Sequence, residues 1–261
     1  MRLWTTLLFA VCLTAVTLLG CAPEADEEAA PASVASSDAS FSVAVFSRTD
    51  GYRHASINDG IELVNALGRA NGFRVSATED PEMLTGTLLD EVDVVVFLNT
   101  SETVFDSEAQ RDRFEEFIEG GGGFVGVHAA ADTEYDWSWY GALVGAYFDG
   151  HPPVQEAELT VEDDEHPSTA HLSSPWVHTD EWYSFRDVQD GLQVLLTVDE
   201  ETYDLEDTPS MGDDHPIAWY HTVGEGRSWY TGLGHTEEAY ATEAFQRHLL
   251  GGILWAARQD E

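Results

Sequence analysis

The chain has 261 residues, 43% of them hydrophobic, with 49 acidic against 11 basic side chains and a formal charge of −38; every basic residue is arginine. Such a charge repels phosphate polymers and anionic headgroups, which excludes nucleic-acid binding. The acids are spread through a sequence with eight tryptophans, so they describe a folded protein with a carboxylate-rich surface, as in a salt-adapted (halophilic) organism.

The N-terminus is read as an exported leader: Arg2, an uncharged apolar run over residues 3–19, then Gly20-Cys21. Leu18-Leu19-Gly20-Cys21 resembles a bacterial lipoprotein cleavage box, so residues 1–20 are the expected signal peptide. Cys21 is the expected lipidated first residue of an envelope-anchored protein, held to the membrane by that anchor alone. Cys12 is the other cysteine and lies in the leader, so the mature body carries neither a disulfide nor a thiol nucleophile. Residues 21–40 are rich in Ala, Ser, Pro and acids and read as a flexible tether. Residues 41–261 are then one α/β domain.

Within that domain, strand signals occur at 41–46, 73–78, 92–98 and 124–127, each followed by a helical segment. Ile57, Ile61, Val64 and Leu67 have helical spacing behind a candidate cap at Ser56, and Phe114, Phe117 and Ile118 follow Asp106 or Ser107. Strands that alternate with helices predict a parallel sheet with right-handed crossovers. Beyond Gly150, strand-like runs at 154–161, 194–198, 217–220 and 227–231 predict antiparallel additions, and an amphipathic helix is expected over 238–257.

Parallel strands bring their C-terminal ends to one sheet edge, where open α/β sheets place their chemistry. Arg48 and His54 follow the first strand, Asn99 the third, His128 and Asp132 the fourth, and His235 sits in Gly232-Leu233-Gly234-His235 after a late strand. Two aromatic and acidic segments, around Tyr135 and Trp137 and around Glu181 and Trp182, offer the ring faces and carboxylates that suit a polyol. No HExxH spacing, GxSxG elbow or Walker motif occurs. A divalent metal, if present, has to be gathered from distant histidines.

Several segments resemble the ThuA-like (trehalose utilisation) family. They are Phe46-Ser47-Arg48, Arg53-His54-Ala55-Ser56-Ile57, Gly126-Val127-His128-Ala129-Ala130-Ala131-Asp132-Thr133, Tyr140-Gly141-Ala142-Leu143-Val144-Gly145, His166-Pro167-Ser168-Thr169, Asp180-Glu181-Trp182-Tyr183, Asp213-Asp214-His215-Pro216 and Gly232-Leu233-Gly234-His235. The resemblance implies a class I glutamine amidotransferase-like, flavodoxin-like three-layer sandwich with a mostly parallel central sheet and added antiparallel strands. It also implies a link to trehalose-like disaccharides and 3-keto sugars. His128 stands where the amidotransferases carry their elbow cysteine, so glutamine hydrolysis through a thioester is not available.

The resulting expectation is an enzyme that uses His/carboxylate acid–base chemistry on a small sugar, as a hydrolase or an isomerase. His128, His54, Asp132, Glu181 and His235 are the candidate catalytic residues, with His128 as general base. Arg48, Asn99, Tyr135, Trp137, Trp182, Asp214 and His215 are the candidate substrate contacts. The alternative is a non-catalytic carbohydrate-binding lipoprotein that uses the same crevice.

Overall fold

Glycine-bounded runs of β-branched and aromatic residues are what a strand covered on both faces requires. The computed structural model describes residues 39–259; the expected signal peptide, Cys21 and nearly all of the tether lie outside the described residues. Eleven strands occur in that span: β1 Ser42–Phe46, β2 Arg74–Thr78, β3 Val94–Leu98, β4 Gly123–Val127, β5 Tyr147–Gly150, β6 Gln155–Val161, β7 Trp176–Asp180, β8 Ser184–Arg186, β9 Gln193–Val198, β10 Pro216–Val223 and β11 Gly226–Thr231. The helices are α1 Ile57–Asn71, α2 Pro81–Gly86, α3 Glu108–Glu119, α4 Ser138–Val144, α5 Glu237–Ala241 and α6 Glu243–Ala256. No helix among the described residues is long and apolar enough to cross a membrane.

Nine strands form one sheet in the order β2-β1-β3-β4-β11-β10-β9-β6-β7, and β5 pairs with β8 in a separate ribbon. The five strands from β2 to β11 are mutually parallel, and the pairings from β11 through to β7 are all antiparallel. The crossovers from β1 to β2 and from β3 to β4 run in opposite directions along the sheet, so right-handed connections put α1 and α3 on opposite faces. Helices α5 and α6 join α1, while α4 covers β11. This is the expected flavodoxin-like, amidotransferase-like sandwich with its antiparallel extension.

The central strands β1, β3 and β4 are buried along their whole length. Phe46, Phe97, Phe105, Phe114, Phe124 and Tyr140 pack in one aromatic cluster between the sheet and the layer of α3 and α4. Each fully buried Phe of this kind contributes roughly 1.5–3 kcal/mol.

Three strands carried no signal in the sequence, and one expected helix is two. In β7, residues alternate buried and exposed, but the buried set is Trp176, His178 and Asp180, so polar residues mask the apolar period. Strands β5 and β8 are four and three residues long, too short for a pattern to register. The helix expected over 238–257 breaks at Thr242, which is extended and caps α6 by accepting from the Phe245 amide. Ser56 precedes α1 but does not cap it; its hydroxyl donates to the Gly234 carbonyl at 3.2 Å.

Candidate functional site

The backbone aims the site before any side chain does. Adjacent strands β3 and β4 both end in a non-glycine residue with left-handed backbone, Asn99 at φ 49° and His128 at φ 49°. Such a conformation costs on the order of 1 kcal/mol for a side chain with a Cβ and collects at functional turns. Tyr230 donates its hydroxyl to the His128 carbonyl at 2.8 Å and so holds the second of these elbows. The antiparallel alternation from β11 to β7 points the C-terminal end of β7 to the same sheet edge, which delivers Asp180 and Glu181 there. The outer strands must curl back over that edge, because Asp180 accepts the amides of Gly234 and His235 at 2.8 and 3.0 Å.

Three imidazoles and one carboxylate meet at this edge. The rings of His54, His128 and His235 stand 4.9–5.1 Å apart, each nearly perpendicular to the others. Glu181 Oε2 lies 3.1 Å from His235 Nδ1 and 3.4 Å from His128 Nε2, while its Oε1 lies 2.9 Å from His151 Nδ1. His128 Nδ1 donates to the Gly232 carbonyl at 2.7 Å, which orients the ring and turns Nε2 toward His235 and Glu181. His54 Nδ1 is buried without a hydrogen-bond partner among the described residues.

Burial, together with the neighbouring His128 and His235, pushes the His54 pKa down to about 3, so this imidazole is neutral at ordinary pH. Burial alone would raise the Glu181 carboxyl, but hydrogen bonding to His128, His151 and His235 outweighs it and holds the group well below the usual carboxylate range. The same contact with Glu181 raises His151. Asp132 is raised by burial against the opposing hydrogen bond donated by the Tyr135 hydroxyl.

A pocket of about 470 Å³ opens on the cluster, lined by Tyr52, His54, Asp132, Phe148, His151, Glu181, Tyr183 and His235. Its size is that of a small-molecule site. One ligand atom from each of His54, His128, Glu181 and His235 falls within 4.8 Å of the other three. Tetrahedral ligands bound about 2.0–2.2 Å from one ion are about 3.3–3.6 Å apart. The 3.1–3.4 Å spacings among His128, His235 and Glu181 already suit this, and the set as a whole has to draw in by about 1 Å to close on a divalent ion. Neutral imidazoles with one carboxylate suit zinc or a similar first-row ion. The His128 hydrogen bond to a backbone carbonyl is the outer partner that a metal-bound histidine characteristically has.

Of the expected catalytic residues, all five therefore gather here, although His128 is fully buried behind the pocket wall. The expected substrate contacts fare differently. Arg48 is doubly hydrogen-bonded to Asp106 and does not line the pocket. Asn99 is buried behind it and donates to Ser56 Oγ and the Gly234 carbonyl, bracing the His235 loop. Trp182 is wholly buried with its indole N–H donating to the Gln155 carbonyl, and Trp137 packs on Trp139 and Phe105 under Arg111, so neither lines the pocket. Tyr135 acts on Asp132, with Arg186 over its ring. Asp214 is exposed and does not line the pocket. His215 is buried beneath it, donating from Nε2 to the Tyr183 carbonyl at 2.8 Å with Nδ1 2.9 Å from Glu200.

The pocket residues that went unassigned are Tyr52, Phe148, His151, Tyr183 and, behind them, Asp180. His151 reads as a loop residue because Pro152 and Pro153 follow it, and Phe148 lies in the undetected strand β5. Tyr183 is adjacent to Glu181 and Trp182, and only the tertiary packing tells which of that pair of aromatics faces the ligand.

A family model described as ThuA, trehalose utilisation, matches residues 42–256. Among solved structures, a protein described as ThuA-like from Bacteroides uniformis is 26% identical with a TM-score of 0.71, over 87% of this chain and 95% of that one. A second, from Parabacteroides merdae, is 20% identical with a TM-score of 0.68, over 84% and 90%, a likeness of fold. So too is that to a β-galactosidase from Bacillus circulans, 12% identical with a TM-score of 0.52, over 83% of this chain and 30% of that one. Among curated proteins none matches. The family match spans the whole sheet and every member of the histidine cluster, and the chain accordingly belongs to the ThuA family, the family of trehalose utilisation.

Proposed function

We propose that the protein is an exported enzyme, lipid-anchored through Cys21, that carries out metal-assisted acid–base chemistry on a trehalose-type disaccharide or its 3-keto form. The observation that carries this reading is the convergence of His54, His128, His235 and Glu181 on one point at the base of a pocket. These four residues would hold a divalent ion, which supplies a Lewis acid for a sugar carbonyl or hydroxyl oxygen. With His128 buried and its Nε2 turned into the cluster, the ligand role replaces the general-base role expected of it.

Proton transfer then falls to Asp132, which lines the pocket, has its carboxyl pKa raised by burial, and is held by Tyr135. His54 stays neutral and so can share a cation without repelling it. Family membership supports the sugar class, and the pocket's mixture of aromatic walls with a carboxylate and imidazoles supports a polyol.

The test uses the purified full chain with zinc or manganese. Titration should show one tightly held equivalent, and turnover of a panel of disaccharides and their 3-keto forms, followed by product mass, should stop when a chelator is added. His128→Gln should retain the melting temperature and weaken metal binding by more than the roughly 10–100-fold that loss of an outer hydrogen-bond partner costs. Turnover that persists in chelator, or a destabilised His128→Gln variant with full specific activity, would refute the metal-centred reading.

A further inference from the structure

Among the described residues, aromatic side chains are overwhelmingly interior; Tyr52 is not. It is 67% exposed, and among the described residues it is the sole aromatic in the set of exposed large hydrophobic residues, the others being Met83, Val154, Val177 and Val188. An exposed aromatic on a loose loop would need no explanation, but this loop is fixed. Thr49 bridges to Ser101, the Asp50 amide donates to the Ser101 carbonyl at 3.0 Å, and Ser101 Oγ donates to the Tyr52 carbonyl at 2.9 Å. At Gly51 the loop presses so closely that a Cβ would lie 2.6 Å from Glu102 Cγ. The backbone thus carries the Tyr52 ring to the pocket rim, where it stands perpendicular to the His54 ring with centroids 4.8 Å apart.

The rest of the pocket supplies the complement. Tyr183 packs on His128 with ring centroids 4.1 Å apart and lies tilted against Phe148 at 4.4 Å, so aromatic surface flanks the imidazole cluster at both its His54 and its His128 members. Between them the polar groups are Asp132, Glu181 and the imidazoles. Aromatic faces at the wall and acceptors at the floor match a ring that has an apolar C–H face and hydroxyls on its edge.

We infer that Tyr52 is the platform on which the pocket seats one pyranose ring, and hence a specificity-determining residue for a glucose-type saccharide. The inference rests on the carbohydrate reading above but not on the metal. A preorganised platform also lowers the ordering cost of binding, because the loop is already held by Ser101 in the free protein.

Calorimetric titration of the full chain, metal-free and zinc-loaded, with methyl α-glucopyranoside, trehalose and 3-keto-trehalose reads the two ideas separately. Tyr52→Ala should weaken sugar binding roughly 3- to 10-fold, the worth of one aromatic contact, and raise KM by a similar factor with little change in kcat. Tyr52→Phe and Tyr52→Trp should bind as wild type, since the ring face and not the hydroxyl does the work. The melting temperature and the zinc affinity of all three variants should match wild type. Equal sugar affinity for Tyr52→Ala and wild type would overturn the inference, as would a wild-type protein that binds none of the three sugars. A protein that takes no metal yet loses sugar affinity on Tyr52→Ala would overturn the metal centre and leave the platform standing.

Discussion

Asp180 shows how much of this site depends on a residue that never faces the ligand. Its carboxylate is wholly buried and accepts from the amides of Gly234, His235 and Glu181, so one side chain ties the His235 loop to the strand that carries Glu181. Burial opposes its ionisation, yet the His178 imidazole 3.5 Å away, the nearby His128 and the Gly234 amide keep it below the ordinary carboxylate range. Asp180→Asn turns an N–H toward one of those amides. It should cost about 1–3 kcal/mol and, by freeing His235, weaken zinc binding by roughly 10–100-fold. Parallel measurement of melting temperature and metal affinity decides the matter: lower stability with unchanged metal affinity would make Asp180 a fold residue only. In the sequence Asp180 is an acid beside another acid, and nothing local says which of the two supports and which binds.

At the scale of elements, α6 carries a buried histidine that sets an acid limit on the fold. His248 Nδ1 donates to the Ser168 carbonyl and its Nε2 accepts from the Thr231 hydroxyl, and burial drives its pKa from 6.5 to about 3. Between these values the unfolded chain takes up a proton that the folded chain refuses, so stability falls as pH drops through that window and is unaffected above it. The slope per such group is up to ~1.4 kcal/mol per pH unit. His54, shifted in the same direction, adds its own share. His248→Gln should therefore shallow the acid slope while leaving the dependence due to His54, a result read from denaturant midpoints at pH 7, 5 and 4. An unchanged slope would show that His248 is not the titrating group. The helical period of α6 was plain in the chain, whereas its break from α5 was not, because Thr242 is compatible with a helix until its hydroxyl finds the Phe245 amide.

The whole molecule lives with a charge of −38. Its arginines mostly meet acids at the surface, as in Arg48 with Asp106 and Arg53 with Glu79, pairs that contribute little each and leave most carboxylates unpaired. Screening is then the main relief from self-repulsion, over a Debye length that grows from about 3 Å at 1 M salt to about 30 Å at 0.01 M. The melting temperature should fall steadily as salt is withdrawn across that range. A flat profile would show that the acidic surface does not stress the fold.

Composition and periodicity alone determined the α/β class, the parallel core and the shared edge of His54, His128 and His235, because strand direction dictates where strand ends go. They did so because those signals are local: a run of Val and Phe between glycines, or a helical spacing, is complete within a dozen residues. Tertiary structure alone decided that Asp180 supports the site from behind while Glu181, already a candidate, reaches the histidines, that Trp137 and Trp182 are core while Tyr52 and Tyr183 are wall, and that His128 turns Nε2 inward. The placement of Asp180, Glu181, Trp182 and Tyr183 depends on an antiparallel arm that curls back over the sheet edge, and that of Tyr52 and Trp137 on contacts with Ser101 and with Phe105 and Arg111; all of these follow from pairings between residues far apart in the chain.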